Sequence, residues 1–348
     1  MTISRSSASL VAALVASAAL VACSSDSATP ASSNRGGAGG TGGADASADS
    51  AGGSGGTGGA TDAAVDATVC EGVDSTITAI ANGTVAPGTA AKLTGVVAMS
   101  SKWLVSKSKK GTCIWGVFVS EPGLTETAEY SGTLAIAYGT DAPVTDAGSG
   151  TCPTGTDPIP NDVAPGDVLD IIGKADSYVY SGCATIAVDA GTAAPAAGIQ
   201  FSNVCSVVKK GTATVPAAAV VSSNTLGNAA AAADHAKWGN VLVQVQGVTG
   251  VDIPNDGGAP DPVGAYGIIK LEGTDLEIHD KLYYPTKGAP TFGEATTWSS
   301  VVGLSYLDFC TWSLQPRDKC TDFTPPSLDC PGADAGATDA GSADAATE

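Results

Sequence analysis

The chain lacks several features on which common active sites depend. It has only two histidines among 348 residues and no Cys-x-x-Cys pair, so a zinc site would be without its usual ligands. It has no Gly-rich phosphate loop ending in Lys and Ser or Thr, and no Gly-x-Ser-x-Gly motif between a strand and a helix. These absences count against zinc enzymes, nucleotide-binding proteins and serine hydrolases.

Basic residues are also scarce. The chain has 16 Lys and Arg against 35 Asp and Glu, a formal net charge of −19. The segment from Cys70 to Cys330 holds 14 basic and 26 acidic residues, a net charge of −12. A surface of this sign repels phosphate backbones and anionic bilayers. Nucleic acid is therefore disfavoured as a partner of this segment as a whole.

The apolar run near the N-terminus is too short to span a bilayer. Residues 10–21, "LVAALVASAALV", number 12, whereas a spanning helix needs about 20. Arg5 precedes the run, and Cys23 closely follows it in "LVAC". A basic start, a short apolar core and small residues at the cut site are typical of a cleaved export signal. The Cys resembles that of the lipobox of bacterial lipoproteins, and a plain secretory signal with an incidental Cys is the alternative.

That resemblance implies that residues 1–22 are removed and that Cys23 becomes the lipidated first residue, with the membrane as a partner through this anchor. Ser24, rather than Asp, follows the Cys and favours the outer membrane; whether the protein faces the periplasm or the cell surface stays open. Residues 23–69 are mostly Ala, Gly, Ser, Thr and Asp, and residues 331–348 have the same composition. Both segments are expected to be disordered, the first as a tether spanning about 40 Å.

The cysteine count agrees with a lipidated Cys23. Nine cysteines would leave one thiol over, but eight remain once Cys23 carries lipid. An even number in an exported chain predicts four disulfides, with metal binding as the minor alternative. The remaining cysteines are Cys70, Cys113, Cys152, Cys183, Cys205, Cys310, Cys320 and Cys330.

Between the two low-complexity segments, short Val-, Ile- and Tyr-rich runs dominate. "AKLTGVVAM", "CIWGVFVSE", "NVLVQVQGV" and "SSVVGLSYLDF" are separated by Gly, Pro, Asp and Asn. This pattern predicts an all-β barrel or sandwich. A single short helix is expected over residues 228–238, with Asn228 as its N-cap and Gly239 at its end.

The two halves of this region are similar to each other. Gly95 in "LTGVV" is followed 21 residues later by Gly116, and Gly247 in "VQGVT" is followed 20 residues later by Gly267. A glycine in mid-strand permits the sharp bend that a small barrel requires. The spacing therefore predicts two degenerate copies of one β unit.

The same alignment superposes cysteines. "IIGKADSYVYSGCATI" matches "VVGLSYLDFCTWSL", and "IQFSNVC" matches "LQPRDKC". Equivalent bridges are therefore expected in the two copies, and the remaining pairs follow by elimination among 105 possible connectivities. The predicted disulfides are Cys183–Cys205, Cys310–Cys320, Cys113–Cys152 and Cys70–Cys330.

A family resemblance rests on "LTGVV", "VFVSEPG", "SGTLAIAYG" and "VAPGDVLDIIG" in the first half. These motifs resemble the OB-fold-like accessory domains of secreted bacterial nucleases. The second half, "HAKWGNVLVQVQGV" through "LQPRDKCTDF", looks like a companion module of the same nucleases. The resemblance implies two tandem five-stranded Greek-key barrels, at residues 70–208 and 209–330. The nuclease catalytic domain has no counterpart in these motifs.

A candidate ligand site lies in "SSKWLVSKSKKGTCIW", between the first two expected strands. OB-folds often bind ligands with this loop, where lysine charge and tryptophan stacking could hold an anionic polymer. The alternative is a solvated hairpin whose tryptophans pack into the barrel. The candidate residues are Lys102, Trp103, Lys107, Lys109, Lys110 and Trp115.

A second candidate lies in "DIPNDGGAPDP". Asp252, Asn255, Asp256 and Asp261 offer oxygen ligands suited to a structural calcium ion. Their spacing does not match an EF-hand, and an ordinary long loop uses the same residue types. No other cofactor is expected.

The two histidines are the remaining candidates for catalytic groups. His235 lies in the expected helix and His279 in an expected strand, and neither has a recognisable nucleophile beside it. Both are expected to be exposed polar residues. The sequence therefore predicts a non-enzymatic lipoprotein that displays two β-barrel binding modules for an unknown protein or polysaccharide. The alternative is recognition of a polyanion, either nucleic acid or acidic polysaccharide, through the Trp/Lys loop, and an enzymatic role ranks third.

Overall fold

The computed structural model describes residues 70–331 except 109–110, 146–147, 181, 184–194, 196, 253–261 and 265–266. The expected signal peptide, the lipidated Cys23, the tether up to residue 69 and the tail from residue 332 lie outside the described residues. Residues 63–348 fall within one compact unit. Among the described residues, no helix has both the length and the apolar character needed to cross a membrane.

The described chain is mostly β, as expected, and its strands form two main sheets. The first sheet contains Val73–Ser75 (β1), Ala90–Ala98 (β2), Trp103–Lys107 (β3), Thr112–Ser120 (β4), Gly132–Asp141 (β5), Asp167–Tyr178 (β8) and Gly198–Thr212 (β9). The second contains Ala219–Val220 (β10), Leu242–Thr249 (β11), Ile269–Lys270 (β12), Glu277–Ile278 (β13), Thr297–Asp308 (β14), Thr311–Gln315 (β15) and Phe323–Thr324 (β16). Val144–Thr145 (β6) and Gly148–Ser149 (β7) form a separate pair. Each main sheet thus has seven strands in the described residues, where five were expected.

The first sheet closes on itself. Its strands follow the order β1-β2-β8-β9-β5-β4-β3, and β2 also pairs with β4 through Val97 and Ala98. Strands β2, β8, β9, β5 and β4 therefore form a ring, with β1 and β3 added at its margins. β5 pairs with β9 in parallel, and β1 pairs with β2 in parallel.

The second sheet repeats this pairing scheme. Its order is β10-β11-β14-β15-β13-β12, and an antiparallel bridge joins Gly250 to Leu271, just beyond β11 and β12. β13 pairs with β15 in parallel as β5 does with β9, and β10 pairs with β11 as β1 does with β2. The internal repeat inferred from the glycines is therefore visible in the strand pairing.

Two glycines occupy matching places in the repeat. Gly95 in β2 has φ +70°, and Gly247 in β11 has φ +60°. This backbone region is disfavoured for residues with a Cβ atom, and the register of β2 against β8 shifts between Leu93 and Val96. Glycine thus permits the first ring strand of each half to bend.

Short helices connect the strands. The helix predicted over residues 228–238 is present but begins later, at Ala232. The helix Ala232–Trp238 has Ala231 as its N-cap, without a side-chain capping bond. Asn228 instead accepts a hydrogen bond from the Trp312 amide at 2.7 Å, which ties it to β15 and prevents it from capping. Gly239 ends the helix as predicted. The other helices are Ile77–Ala81, Ser223–Leu226 and Tyr284–Lys287.

Three apolar clusters form the core. One fills the first ring and includes Leu93 and Leu169, and a second fills the other half and includes Trp298. The third joins residues of both halves, among them Phe118 and Leu304. The two sheets therefore share a buried interface as well as having a core each.

Four disulfides brace this arrangement, and three of them differ from the expected pairs. Cys113–Cys152 forms as predicted. The predicted pairs Cys183–Cys205, Cys310–Cys320 and Cys70–Cys330 are wrong, since the structure contains Cys70–Cys205, Cys183–Cys310 and Cys320–Cys330 instead. The repeat does place Cys183 and Cys310 at equivalent positions, but the packing of the halves brings these two together, with Cα atoms 5.2 Å apart.

Candidate functional site

Lys102, the first residue of the predicted Trp/Lys site, is buried. Its ammonium donates to the Asp157 carboxylate at 2.6 Å, to the Asn161 side-chain oxygen at 2.7 Å and to the Ile159 carbonyl at 2.9 Å. The Lys102 side chain is 3% exposed and that of Asp157 is fully buried. This cation is therefore committed to the protein interior and cannot contact an anionic polymer.

The two tryptophans of the predicted site are also buried, each 8% exposed. Trp103 lies in the cluster between the halves, stacked on Phe118 with centroids 6.0 Å apart and edge-on to Tyr306. Trp115 lies in the first core, and the Lys102 ammonium is 4.8 Å from its ring centre. Neither ring is available to stack on a base or a sugar.

The remaining lysines do not restore the site. Lys107, at the end of β3, donates to the Gly150 carbonyl at 3.4 Å, and Lys109 and Lys110 lie outside the described residues. The structure thus does not assemble the predicted ligand surface. The reason is that the hairpin turns its tryptophans inward, as the alternative interpretation held, while Lys102 meets acidic and carbonyl oxygens some 55 residues further along the chain.

The predicted calcium loop is only partly described. Asp252 accepts hydrogen bonds from the Ala295 amide with both carboxylate oxygens, at 3.0 and 2.9 Å. Asn255, Asp256 and Asp261 lie outside the described residues. Within the described part of the chain, no group of three or more Asp, Glu, His or Cys side chains is arranged to hold a metal ion. Calcium binding by this loop therefore stays a prediction.

His235 is buried, contrary to the expectation of an exposed residue. It is 5% exposed, and its ring stacks on Trp312 with centroids 4.5 Å apart and planes 10° from parallel. Its Nε2 donates to the Gly227 carbonyl at 2.8 Å. Burial lowers the pKa of His235, which favours the neutral ring. The aromatic partner, 77 residues away in sequence, could not be read from the helix pattern.

His279 is also buried, at 6% exposure, and lies between two carboxylates. Its Nδ1 is 3.3 Å from an Asp308 oxygen, and its Nε2 is 3.2 Å from a Glu277 oxygen. Lys281 forms an ion pair with the other Asp308 oxygen. Burial alone would lower the pKa of His279, but the bonds to Asp308 and Glu277 outweigh it and raise the pKa.

The pKa of each of the two carboxylates is lowered, whereas that of His279 is raised. The hydrogen bond from His279 lowers the pKa of Glu277. Burial alone would raise the pKa of Asp308, but the bonds from His279 and Lys281 outweigh it and lower the pKa. The raised pKa favours the protonated ring, in which each nitrogen can donate to one of the two carboxylates.

The turn after Asp308 lies at the junction of the two halves. Cys310 bonds to Cys183 there, and the Asn240 amide of the second half donates to the Ile199 carbonyl of the first at 2.5 Å. Thr127 likewise donates from the first half to the Leu242 carbonyl of the second at 2.6 Å. The halves are thus held together by covalent, polar and apolar contacts.

A small cleft of about 10 Å³, with room for roughly one water molecule, lies at this junction. Its lining includes Tyr178, Ile199 and Gln200 from the first half and Asn240, Tyr306 and Leu307 from the second. The site depends on how the halves pack, so neither half predicts it alone. The aligned stretches "DSYVYSG" and "SYLDFC", each with aromatics next to the inter-half disulfide, are the signal that could have indicated it.

In comparisons with known proteins, no family model, no curated protein and no solved structure matches the chain. The resemblance to nuclease accessory domains therefore stays a prediction from short motifs.

Proposed function

We propose that this protein is an outer-membrane lipoprotein, anchored through Cys23, which displays a pair of OB-fold-like barrels as a binding module. The observation that carries the binding role is the junction. Two repeated β units share an apolar cluster, are linked by Cys183–Cys310 and enclose a cleft. A rigid double unit on a flexible tether is suited to presenting its outer surface to a ligand at a distance from the membrane.

The strand pairing supports the OB-fold-like part of the proposal. In each half, the first ring strand pairs with the fourth and, directly or through a bridge, with the second. The third ring strand pairs in parallel with the fifth. This pairing is the one expected of a five-stranded Greek-key ring, to which β1 and β3, or β10 and β16, are added.

The disulfides support the proposed export, and the histidines support the proposed binding role. Four disulfides in the described chain are in keeping with an oxidising compartment and hence with export. Both ring nitrogens of His279 lie within hydrogen-bond distance of a carboxylate, and His235 is stacked on Trp312. These contacts give both histidines a structural role, which supports the proposal of a binding module. Polyanion recognition loses its main support, because Lys102, Trp103 and Trp115 are buried.

The anchor is tested by comparing the full chain with its Cys23→Ser variant in a bacterium that processes lipoproteins. We expect the wild-type chain in the outer-membrane fraction, with an acylated N-terminal peptide that begins at Cys23. We expect the variant to carry no acyl chain and to keep the same disulfides. A wild-type protein with a free Cys23 thiol would contradict the proposal.

A further inference from the structure

Aromatic rings are exposed together near the junction. Phe309 is 63% exposed, Tyr178 51% and Tyr138 47%, and Tyr180 is half-buried. These four residues are called the aromatic patch. In a chain with only 18 aromatic residues, exposing three so fully in one region departs from the pattern of the buried rings in the core. Exposed apolar patches of this kind mark interaction sites.

One direct ring contact lies within the aromatic patch. The Tyr180 and Phe309 rings meet edge-to-face with centroids 5.7 Å apart. Cys183–Cys310 ties together the two stretches that carry them. The pKa of Tyr138 is raised, first by burial and then by the nearby Asp176 carboxylate and Tyr178 phenol.

Phe309 is held in a conformation that costs energy. Its φ is +52°, in the left-handed region that residues with a Cβ atom rarely adopt. It lies in the turn between β14 and β15, beside the disulfide-bonded Cys310, and the Lys281 ammonium is 5.0 Å from its ring centre. Local strain that presents an apolar ring to solvent is a reason to look for a ligand.

Uncharged polar groups adjoin the rings. Tyr178 and Gln200 both line the junction cleft, and Asn240 lines it from the second half. Gln200 is partly exposed, and its side-chain amide can both donate to and accept from a ligand. Lys281, the cation beside Phe309, is already paired with Asp308.

We propose that the aromatic patch, together with the polar residues at the edge of the adjoining small cleft, binds a neutral glycan on the protein surface. The apolar face of a sugar ring can pack on the exposed Tyr178 and Phe309 rings, while its hydroxyl groups bond to the Gln200 amide. The net charge of −12 between Cys70 and Cys330 disfavours acidic polysaccharides and nucleic acid. The isolated phenols and amides suit a polyhydroxylated ligand better than a continuous apolar protein interface. This inference rests on the proposed function only in taking the folded chain to be a binding module.

The test uses the full chain, extracted from membranes in detergent without reductant, on an array of neutral glycans with several backbones. Sulfated and uronic-acid glycans on the same array serve as charged counterparts. We expect binding to at least one neutral glycan, with little dependence on salt. Phe309→Ala and Tyr178→Ala should each weaken it at least tenfold. Tyr284→Ala is the matched control, because Tyr284 is 54% exposed and makes no ring contact with the aromatic patch.

Binding to no neutral glycan, or unchanged binding by both patch variants, would overturn the inference. Salt-sensitive binding to the charged glycans alone would also overturn it and would revive polyanion recognition. Unchanged melting temperatures and disulfide maps verify that the variants fold. Acylation of Cys23 is measured on the same samples, so failure of the glycan inference is distinguishable from failure of the anchor.

Discussion

At the scale of single residues, Lys102 shows how a charged side chain can serve the interior. Its three oxygen partners, Asp157, Ile159 and Asn161, all belong to the loop between β7 and β8. The Trp115 ring lies on another side of the ammonium. The lysine therefore fastens this loop onto the first ring, and it does so with almost no exposure to water.

Replacing Lys102 with Ala should lower the free energy of unfolding by about 3–5 kcal/mol, because Asp157 would be left as an unpaired buried charge. Urea denaturation at neutral pH measures this. Lys92→Ala is the control, since Lys92 pairs with Asp74 on the surface, where their side chains are 38% and 84% exposed. That change should cost less than about 1 kcal/mol. Equal losses for the two variants would contradict the role assigned to Lys102.

His279 makes stability depend on pH. A folded pKa above the ordinary value near 6.5 means that its contribution is fully present below pH ~6.5 and is lost as the pH rises through the folded pKa. The lowered pKa of Glu277 and of Asp308 adds stability above their ordinary pKa values near 4, which is lost in acid. The cluster thus contributes most between these limits.

We therefore expect the free energy of unfolding to fall as the pH rises above about 6.5 and through the folded pKa of His279, and His279→Asn to remove most of that fall. Urea titrations across this range measure it. His235→Asn should leave the fall in place, because the pKa of His235 is lowered and its linkage has the opposite sign. A fall that persists unchanged in the His279 variant would show that other groups cause it.

At the scale of elements, the strands and their repetition were predictable and the connections between elements were not. Alternating and Val-rich runs identify β2, β4, β11 and β14, and the spacing of Gly95 and Gly247 reveals two copies of one unit. The helix start and two disulfides were missed because Asn228, Cys70 and Cys183 meet partners in distant parts of the chain. Local patterns carry no information on such contacts. The local pair Cys320–Cys330 was missed because the repeat alignment assigned Cys320 to Cys310.

Gly132, at the start of β5, allows the halves to approach closely. A Cβ atom there would come within 2.2 Å of the Asn240 carbonyl oxygen and 2.8 Å of the Val241 Cα. Gly132→Ala should therefore lower the free energy of unfolding by at least about 1–3 kcal/mol. In Gly293→Ala, the added methyl would meet only Thr296 at 4.0 Å, and stability should change by less than about 0.5 kcal/mol. Chemical denaturation compares the two, and a neutral Gly132 variant would contradict the close contact.

At the scale of the whole molecule, the two halves act as one body. The shared cluster around Phe118 and Leu304, the Asn240–Ile199 bond and the Cys183–Cys310 bridge all cross the junction. The cleft and the aromatic patch exist only because of this packing. The binding proposals therefore depend on the integrity of the pair.

Removing the inter-half disulfide Cys183–Cys310 should lower the free energy of unfolding more than removing the local disulfide Cys320–Cys330. Cys183 and Cys310 are 127 residues apart, whereas Cys320 and Cys330 are 10 apart. Loop-closure entropy predicts that the double Ser variant of the first pair loses about 2 kcal/mol more than that of the second. Thermal and urea unfolding measure the difference. A larger loss from the Cys320–Cys330 variant would contradict the importance given to the junction.

A non-reducing peptide map, by mass spectrometry of the full chain extracted from membranes, tests the central claim most directly. The account predicts an acylated Cys23 and the four bridges Cys70–Cys205, Cys113–Cys152, Cys183–Cys310 and Cys320–Cys330. A free thiol among these residues, an unmodified Cys23, or Cys183 paired within its own half would contradict it.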